Sequence, residues 1–559
     1  MSTFDHRKYR PYARLSLPTR TWPDQVIEHA PTWCSVDLRD GNQALIEPMN
    51  VAQKLELFKL LVKVGFKEIE VGFPAASQPD FDFVRCLIDD GLIPHDVTVQ
   101  VLTQARPALI ERSFVALVGV RRAIMHLYNS TSTVQREQVF ALDRDGVKAI
   151  AVNGAKRIID GAAAYPETAW TFQYSPESFT GTELDYAVEV CDSVLDVWAA
   201  RPEQPCIINL PATVEMSTPN VYADQIEWMS THIKRRDGVI LSLHTHNDRG
   251  CGVAAAELGV MAGAERIEGT LLGNGERTGN MDIVTMAMNL YSQGVDPQLD
   301  LSNMDEIIRC VKACTQMSIH PRHPYAGELV FTAFSGSHQD AIKKCLAQRT
   351  PEQPWDVAYL PIDPADLGRS YQEVIRINSQ SGKGGVAYVL EQEQGLQLPR
   401  WLQIDFSNVV QAYAEESKSE VLPSMIVELF ERQYLGQRAP FALTGYQLTR
   451  ENDEDRLVAN LTEGNESLTL RGRASGVVGA FVGALAAHCG QPIVLVEYNE
   501  HTLNQADGAD ADAVTYVQLN LDGRRYCGVG RSSDIVEASL RAILSAVNQP
   551  LGVGATIAA

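Results

Sequence analysis

The chain lacks any excess of positive charge: 48 lysines and arginines stand against 70 acidic residues, a formal net charge of -22. That balance works against sequence-independent attraction to nucleic acid or to an anionic membrane, because both need a cationic surface. Anionic substrates would need a local basic pocket. Long apolar runs are missing too. Stretches such as residues 114–120 fall far short of the roughly 20 residues needed to cross a bilayer, so no membrane span is expected. The opening residues carry Asp5, Arg7, Lys8 and Arg10 and no apolar stretch, which predicts no secretory signal and a cytoplasmic location. Cysteines are few and scattered singly from Cys34 to Cys527. The one close pair, Cys310 and Cys314, has helical spacing with no second pair to complete a zinc site, so reduced thiols are expected. Low-complexity tracts are absent, although residues 506–512 form a small acidic loop.

What is present reads as a soluble globular chain, with 45% hydrophobic and 21% charged residues. At 559 residues it exceeds what one core usually serves, so two or more domains are expected. From about residue 33 to 292, short β-rich runs alternate with stretches of helical period, the pattern of βα units around a parallel sheet. Strands are predicted over 34–38, 68–72, 97–102, 123–127, 170–174, 206–210, 239–244 and 266–271. Eight units predict a closed (β/α)8 barrel. A doubly wound open sheet is the alternative, but no Gly-rich dinucleotide fingerprint follows the first strand.

Polar residues collect where these strands end. Asp37-Leu38-Arg39-Asp40-Gly41-Asn42-Gln43 follows the first; His126 and Tyr128 end the fourth, Ser175 and Glu177 the fifth, Thr213 the sixth. The seventh runs into His244-Thr245-His246-Asn247-Asp248, the eighth into Gly273-Asn274-Gly275-Glu276-Arg277-Thr278-Gly279-Asn280. C-terminal strand ends are the face on which barrel active sites are built. His244 and His246, at i and i+2, point to one side of the strand and suit two ligands of one ion. Asp40 would complete a two-histidine, one-carboxylate set with open positions, and Asn280 could add an oxygen. An HxH alone is more often a hydrogen-bonded pair; neighbouring first- and eighth-strand motifs turn the balance toward a metal. Mixed nitrogen and oxygen ligands suit Mg2+, Mn2+ or Zn2+.

Arg39 keeps its charge and could hold a carboxylate or a developing oxyanion, or could sit in a structural ion pair with Glu177. Glu276 and Arg277 could act behind the site or simply fix their loop. His126, Tyr128, Ser175 and Thr213 are substrate-positioning candidates, some of them structural. The segment Ser379-Gln380-Ser381-Gly382-Lys383-Gly384-Gly385 lacks the ending of a nucleotide-binding loop and reads as a turn. Beyond residue 440, three strands and a helix are predicted twice: 442–449, 457–461 and 468–472 before 478–487, then 493–498, 515–521 and 525–530 before 534–548.

The first-, seventh- and eighth-strand motifs resemble the signatures of the DRE-TIM metallolyase group, specifically the 2-isopropylmalate synthase family. The opening Lys8-Tyr9-Arg10-Pro11-Tyr12 through Arg20-Thr21-Trp22-Pro23-Asp24 is similar to that of the family's longer form. The resemblance covers nearly the whole chain. It implies condensation of acetyl-CoA with 3-methyl-2-oxobutanoate (2-oxoisovalerate), then hydrolysis to 2-isopropylmalate and CoA, the committed step of leucine biosynthesis. Carried over motif by motif, it puts the metal on Asp40, His244, His246 and Asn280, with Mg2+ first and K+ allowed as a monovalent activator. It puts the catalytic pair on Arg39 and Glu177, with Glu276 behind them, and the oxo-acid pocket on Leu102, His126, Tyr128, Ser175 and Thr213. His338 and Tyr371 fall on residues that such homodimers donate to a neighbouring active site, His338 assisting as base.

The resemblance also implies L-leucine as feedback effector of a C-terminal regulatory domain. The segment Gly472-Arg473-Ala474-Ser475-Gly476-Val477-Val478-Gly479-Ala480 lacks the Pro and the acidic residue of the family's turn, which leaves the effector open. The expected layout is an N-terminal extension over 1–30, a catalytic barrel over 31–307, linker subdomains over 308–438 and a regulatory domain over 439–559. Arg369, Arg376 and Lys383 are candidates to meet the CoA phosphates. Citramalate or homocitrate synthesis on the same barrel, and a catalytically silent amino-acid sensor, are the competing readings.

Overall fold

A computed structural model describes residues 12–13, 15–333, 335–350, 353–369, 383–417, 421–436, 439–503 and 512–552. Two compact units divide the chain, Met1–Val330 with Ala365–Arg369, and Phe331–Pro364 with Ser370–Ala559.

The first unit is a closed eight-stranded parallel barrel in sequential order. Its strands are β1 (Thr32–Ser35), β2 (Glu68–Gly72), β3 (Thr98–Gln104), β4 (Arg122–Ser130), β5 (Ala169–Glu177), β6 (Cys206–Ala212), β7 (Val239–Thr245) and β8 (Arg266–Gly269). The strand β1 pairs with β8 to close the ring. The helices α1 (Val51–Val64), α2 (Gln78–Asp89), α3 (Pro107–Ala116), α4 (Arg144–Ala163), α5 (Leu184–Trp198), α6 (Pro219–His232), α7 (Gly252–Met261) and α8 (Ile283–Ser292) connect or follow the strands. Local sequence sets their limits. In α1, Asn50 and Gln53 form a reciprocal cap and Gly65, at φ 116°, stops the helix. The predicted first strand ran to residue 38; it ends at Ser35, because Asp37–Gly41 wraps into a single wide turn with Gly41 N on Val36 O at 3.1 Å. The helix α9 (Met304–Thr315) buries Cys310 and Cys314 on its inner face. All ten cysteines are free thiols. Among the described residues no helix is long and apolar enough to cross a membrane.

The second unit begins with α10 (Gly336–Gln348), α11 (Lys383–Gln394), α12 (Arg400–Ser417) and α13 (Pro423–Phe430). Lys383, Gly384 and Gly385, predicted to lie in a turn, open α11 instead. Gly385 lets α11 come close to Gln339, since a Cβ would fall 2.2 Å from Gln339 Oε1 and make that side chain move. Then follow β9 (Phe441–Glu451), β10 (Glu454–Glu463), β11 (Glu466–Ala474) and α14 (Val477–Cys489), and again β12 (Ile493–Thr502), β13 (Ala513–Leu521), β14 (Arg524–Ser532) and α15 (Ile535–Gly552). Each triplet is an antiparallel sheet with its middle strand second in sequence, so the duplicated βββα layout stands. Phe441, Leu461, Phe481, Leu519, Leu540 and Ile543 share one core across both repeats. A second core joins Leu390, Phe406, Phe430 and Tyr434 to Tyr516 and Val529 of the sheet.

Candidate active site

The wide turn after β1 directs Arg39 and Asp40 toward the barrel's C-terminal mouth. Asp37 anchors it, accepting Leu271 N–H on both carboxylate oxygens at 3.1 Å and the Ser35 hydroxyl at 2.8 Å. The β1 and β8 exits are thereby tied together. Asp40 Oδ2 lies 3.1 Å from His244 Nε2 and 3.3 Å from His246 Nε2. The histidines' outer nitrogens fix their tautomers: His244 Nδ1 is 2.8 Å from Glu268 Oε2, and His246 Nδ1 is 2.8 Å from the Thr213 carbonyl. Both partners only accept, so both Nδ1 atoms carry the proton and both Nε2 lone pairs face Asp40. Three lone-pair atoms this close need protons or a cation between them. Separations near 3 Å are also those of adjacent ligands on an ion bonded at roughly 2.1 Å.

Asn280 supplies the test of fit. Its Oδ1 is buried and has no hydrogen-bond partner, while its Nδ2 donates to Asn274 O at 3.1 Å. An orphaned carbonyl oxygen is what a fourth ligand would look like without its ion. Gly275 makes room for it, since a Cβ there would fall 2.2 Å from Asn280 Nδ2. The donor set of two imidazoles and one carboxylate fits a divalent ion, and Asn280, bridged to His246 through the backbone, is the candidate for a further oxygen.

Beneath this cluster the barrel interior is charged, which the sequence reading did not anticipate. Glu268 accepts from His244, from Arg266 Nη1 at 2.8 Å, from Gln173 at 2.7 Å, and from Gln100 and Asn209 at 3.2 Å. Burial would raise its pKa, but the His244 hydrogen bond and the Arg266 charge hold it well below the carboxylate range. Glu70 accepts Arg39 Nε at 2.5 Å and faces His126 Nδ1 at 2.9 Å. Burial opposes its charge as well; Arg39 and His126 win and lower its pKa. Asp40 is likewise lowered despite burial, chiefly by Arg39. For His244, burial favours the neutral ring, but the bonds to Asp40 and Glu268 outweigh it and lift the pKa to about 9 when no ion is bound. The missed residues had a signal: Glu68-Ile69-Glu70 and Arg266-Ile267-Glu268 place charges at i, i+2 inside otherwise apolar strands, on one face.

A cavity of about 550 Å³ opens above the cluster. It is lined by Arg39, Asp40, Leu102, His126, Tyr128, Ser175, Glu177, Thr213, His244, His246 and Glu276, as well as by residues not singled out from sequence, among them Phe73, Ala76, Gln104 and Asn209. Arg39 pairs with Glu70 and, through Nη1 at 2.8 Å, with Asp40; the sequence alternative of a Glu177 partner does not hold. Glu177 instead accepts Ser178 Oγ at 3.0 Å and Ser130 Oγ. His126 Nε2 meets Ser175 Oγ at 2.7 Å, Gln104 donates to the Tyr128 hydroxyl at 2.7 Å, and Thr213 Oγ1 accepts Ser178 N–H at 2.9 Å. Glu276 sits at the rim, accepting from Gln43 at 2.9 Å. Arg277 bonds Asp248 at 2.6 Å and Thr213 O at 2.6 Å, so it fixes the loops that carry His246.

His338 belongs to the second unit, its ring stacked on Tyr359 at 3.9 Å. Tyr371 and Arg376 lie outside the described residues. Arg369 is half-buried and donates to the carbonyls of Gly327 and Ala326, at 3.1 and 2.9 Å, contacts that tie it to its own unit.

Residues 30–311 match the HMGL-like family model, 328–391 the model for the alpha-isopropylmalate synthase post-catalytic domain-like family, and 420–551 the LeuA allosteric (dimerisation) domain. A protein of a Parafrankia species described as 2-isopropylmalate synthase is 58% identical over 97% of each chain. Proteins of the same description from Pseudomonas fluorescens and Azotobacter vinelandii are each 55% identical, over 97% of both chains and over 99% and 98% of the two chains respectively. A solved HMG-CoA lyase from Acenitobacter baumannii aligns over 53% of this chain and 94% of its own at 18% identity and a TM-score of 0.41. On the strength of its full-length relatives, the chain belongs to the 2-isopropylmalate synthase family of acyltransferases.

Proposed function

We propose that the protein condenses acetyl-CoA with 3-methyl-2-oxobutanoate and releases 2-isopropylmalate and CoA, opening leucine synthesis in the cytoplasm. The observation that carries this reading is the convergence of Asp40, His244 and His246 in the lining of the cavity that also holds Arg39 and Glu177, with Asn280, its buried oxygen unpaired, bridged to His246 through the backbone. We assign all four as ligands of a divalent ion, Mg2+ first, with Mn2+ or Zn2+ as the other fits and K+ as a monovalent activator. Bound there, the ion supplies Lewis acidity to a chelated 2-oxo acid.

The chain's own residues do the rest. Arg39, oriented through Nε and Nη1, offers its remaining charge to the keto oxygen as negative charge develops on it. Glu177 and His338 serve the proton transfers: removal of an acetyl methyl proton, directly or through water, and activation of the water that cleaves the thioester. Leu102, with His126, Tyr128, Ser175 and Thr213, receives the oxo acid, and Glu276 supports the rim. His338 and Tyr371 reach the site from the neighbouring subunit of a homodimer. The barrel spans 31–307, with an extension over 1–30, linker subdomains over 308–438 and the regulatory domain over 439–559, where L-leucine acts as feedback effector.

The sensor alternative has against it the intact ligand set. Thiol release from acetyl-CoA, assayed with 2-oxoisovalerate, pyruvate and 2-oxoglutarate, with and without chelator and leucine, tests the whole reading. A clear preference for pyruvate or 2-oxoglutarate would move the protein to citramalate or homocitrate synthesis; leucine binding with no thiol release under any divalent ion would leave a sensor.

A further inference from the structure

The opening segment has had no part in the chemistry so far, yet its described residues make specific contacts with the barrel. Arg20 Nε donates to Asp224 Oδ1 at 2.6 Å, and its Nη2 pairs with Oδ2. Trp22 Nε1 donates to Asp224 Oδ1 at 2.8 Å. The backbone N–H groups of Thr21 and Trp22 reach Glu227 Oε1 at 2.9 and 3.2 Å. Asp224 and Glu227 are buried on α6, which carboxylates tolerate only when paired. The segment is therefore an integral strap of the first unit.

Its other end touches the catalytic face. The Tyr12 hydroxyl donates to the Thr180 carbonyl and accepts from Gln225 Nε2, the latter at 2.9 Å. Thr180 lies in the short turn Phe179–Gly181, three residues beyond Glu177, the last residue of β5. Ser178 is left-handed, φ 59° and ψ 39°, a conformation a non-glycine residue keeps only when its surroundings fix it. Ser178 N–H reaches Thr213 Oγ1 at 2.9 Å, the Ser178 carbonyl accepts Gly181 N–H at 2.9 Å and Thr182 Oγ1 at 3.0 Å, and Thr180 Oγ1 donates to Val214 O at 2.9 Å. Tyr12 supplies the side-chain donor for the carbonyl of buried Thr180.

We infer that the strap is a positioning element for catalysis: Tyr12 holds the turn that aims Glu177 into the cavity, and Arg20 and Trp22 hold Tyr12 in reach. The inference rests on the catalytic reading of Glu177. Removing the Tyr12 hydroxyl strands a buried carbonyl, which the turn can satisfy only by moving. Glu177 would then spend less time in attack geometry, lowering kcat while acetyl-CoA binding is kept.

The test uses the full chain, metal-loaded, in five forms: parent, Tyr12→Phe, Arg20→Ala, Glu177→Gln and the double variant of Tyr12→Phe with Glu177→Gln. Tyr12→Phe is expected to lose about tenfold in kcat, about 1.4 kcal/mol, with KM for acetyl-CoA within about twofold. Backbone amides of Gly181 and Thr182 should exchange faster, and Arg20→Ala should reproduce both effects. If Tyr12 acts through Glu177, the double variant is no worse than Glu177→Gln alone. Losses that multiply, or parent-like turnover in Tyr12→Phe beside a crippled Glu177→Gln, would overturn the inference by itself. Parent-like turnover in Glu177→Gln would instead overturn the reading of Glu177, and this inference with it.

Discussion

Glu268 holds His244 by its outer ring nitrogen at 2.8 Å, whereas His246 is held by a backbone carbonyl, so the two paired imidazoles are backed by groups of different charge. A carboxylate behind a ligating histidine fixes the ring and raises its basicity. Four further donors saturate Glu268, which makes it a rigid anion.

Glu268→Gln should therefore weaken divalent-ion binding by roughly 10–100-fold, the range for loss of such a partner. Titration calorimetry with Mn2+ measures this directly, apart from turnover. Arg266 keeps Glu68 as a partner, so the fold should survive. Unchanged affinity would mean that Glu268 serves only the packing of the barrel.

The convergence of Asp40, His244 and His246 was legible in sequence because they lie at or just beyond the C-terminal ends of strands, and those ends of a barrel converge whatever the loops do. Glu268, Glu70 and Arg266 were not singled out, because positions inside barrel strands ordinarily pack apolar layers and the sequence does not say which charge on a neighbouring strand each one meets. Arg39 illustrates the same limit: its charge was legible, but its partner Glu70 comes from the neighbouring strand and depends on closure of the sheet. The two βββα units could be read through to the helices because alternation and turns are local. His338 could be named from a motif, yet nothing local says which site it serves.

Leu102 is buried beside Phe73 and Ala76 on the cavity wall. Leu102→Ala should open space where the branched tail of the oxo acid packs. Losing such contacts costs roughly 10–200-fold in discrimination. The value of kcat/KM for 2-oxoisovalerate should fall within that range, while a longer straight-chain oxo acid should lose less. Equal losses on both substrates would place Leu102 away from the tail.

Gly530 on β14 faces α15 so closely that a Cβ would fall 2.0 Å from Ala538 O and 2.5 Å from Ala542 N. Gly530→Ala should push the helix off its sheet, at a cost of about 1–3 kcal/mol or more. The effect should appear as a lower unfolding temperature and a loss of effector response. Divalent-ion binding in the barrel should be kept. Parent-like stability would require backbone shifts that the packing of Ala542 and Ala546 leaves little room for.

Asp37 gives a pH dependence of stability with a definite sign. Burial pushes its pKa up to about 7, although Ser35 and the Leu271 N–H work against the shift. The folded carboxyl thus holds its proton over a range in which the unfolded one, near 3.9, has lost it. Between about pH 4 and 7 the folded state binds more protons, so this group's contribution falls as pH rises. At about 1.4 kcal/mol per pKa unit the swing is on the order of a few kcal/mol. Asp37→Asn can still accept from Leu271 and donate to Ser35, and it cannot ionise. The variant should match the parent in unfolding temperature near pH 4 and exceed it near pH 8. A parent-like slope between those limits would show that Asp37 is already ionised in the fold, its charge carried by the hydrogen bonds it accepts.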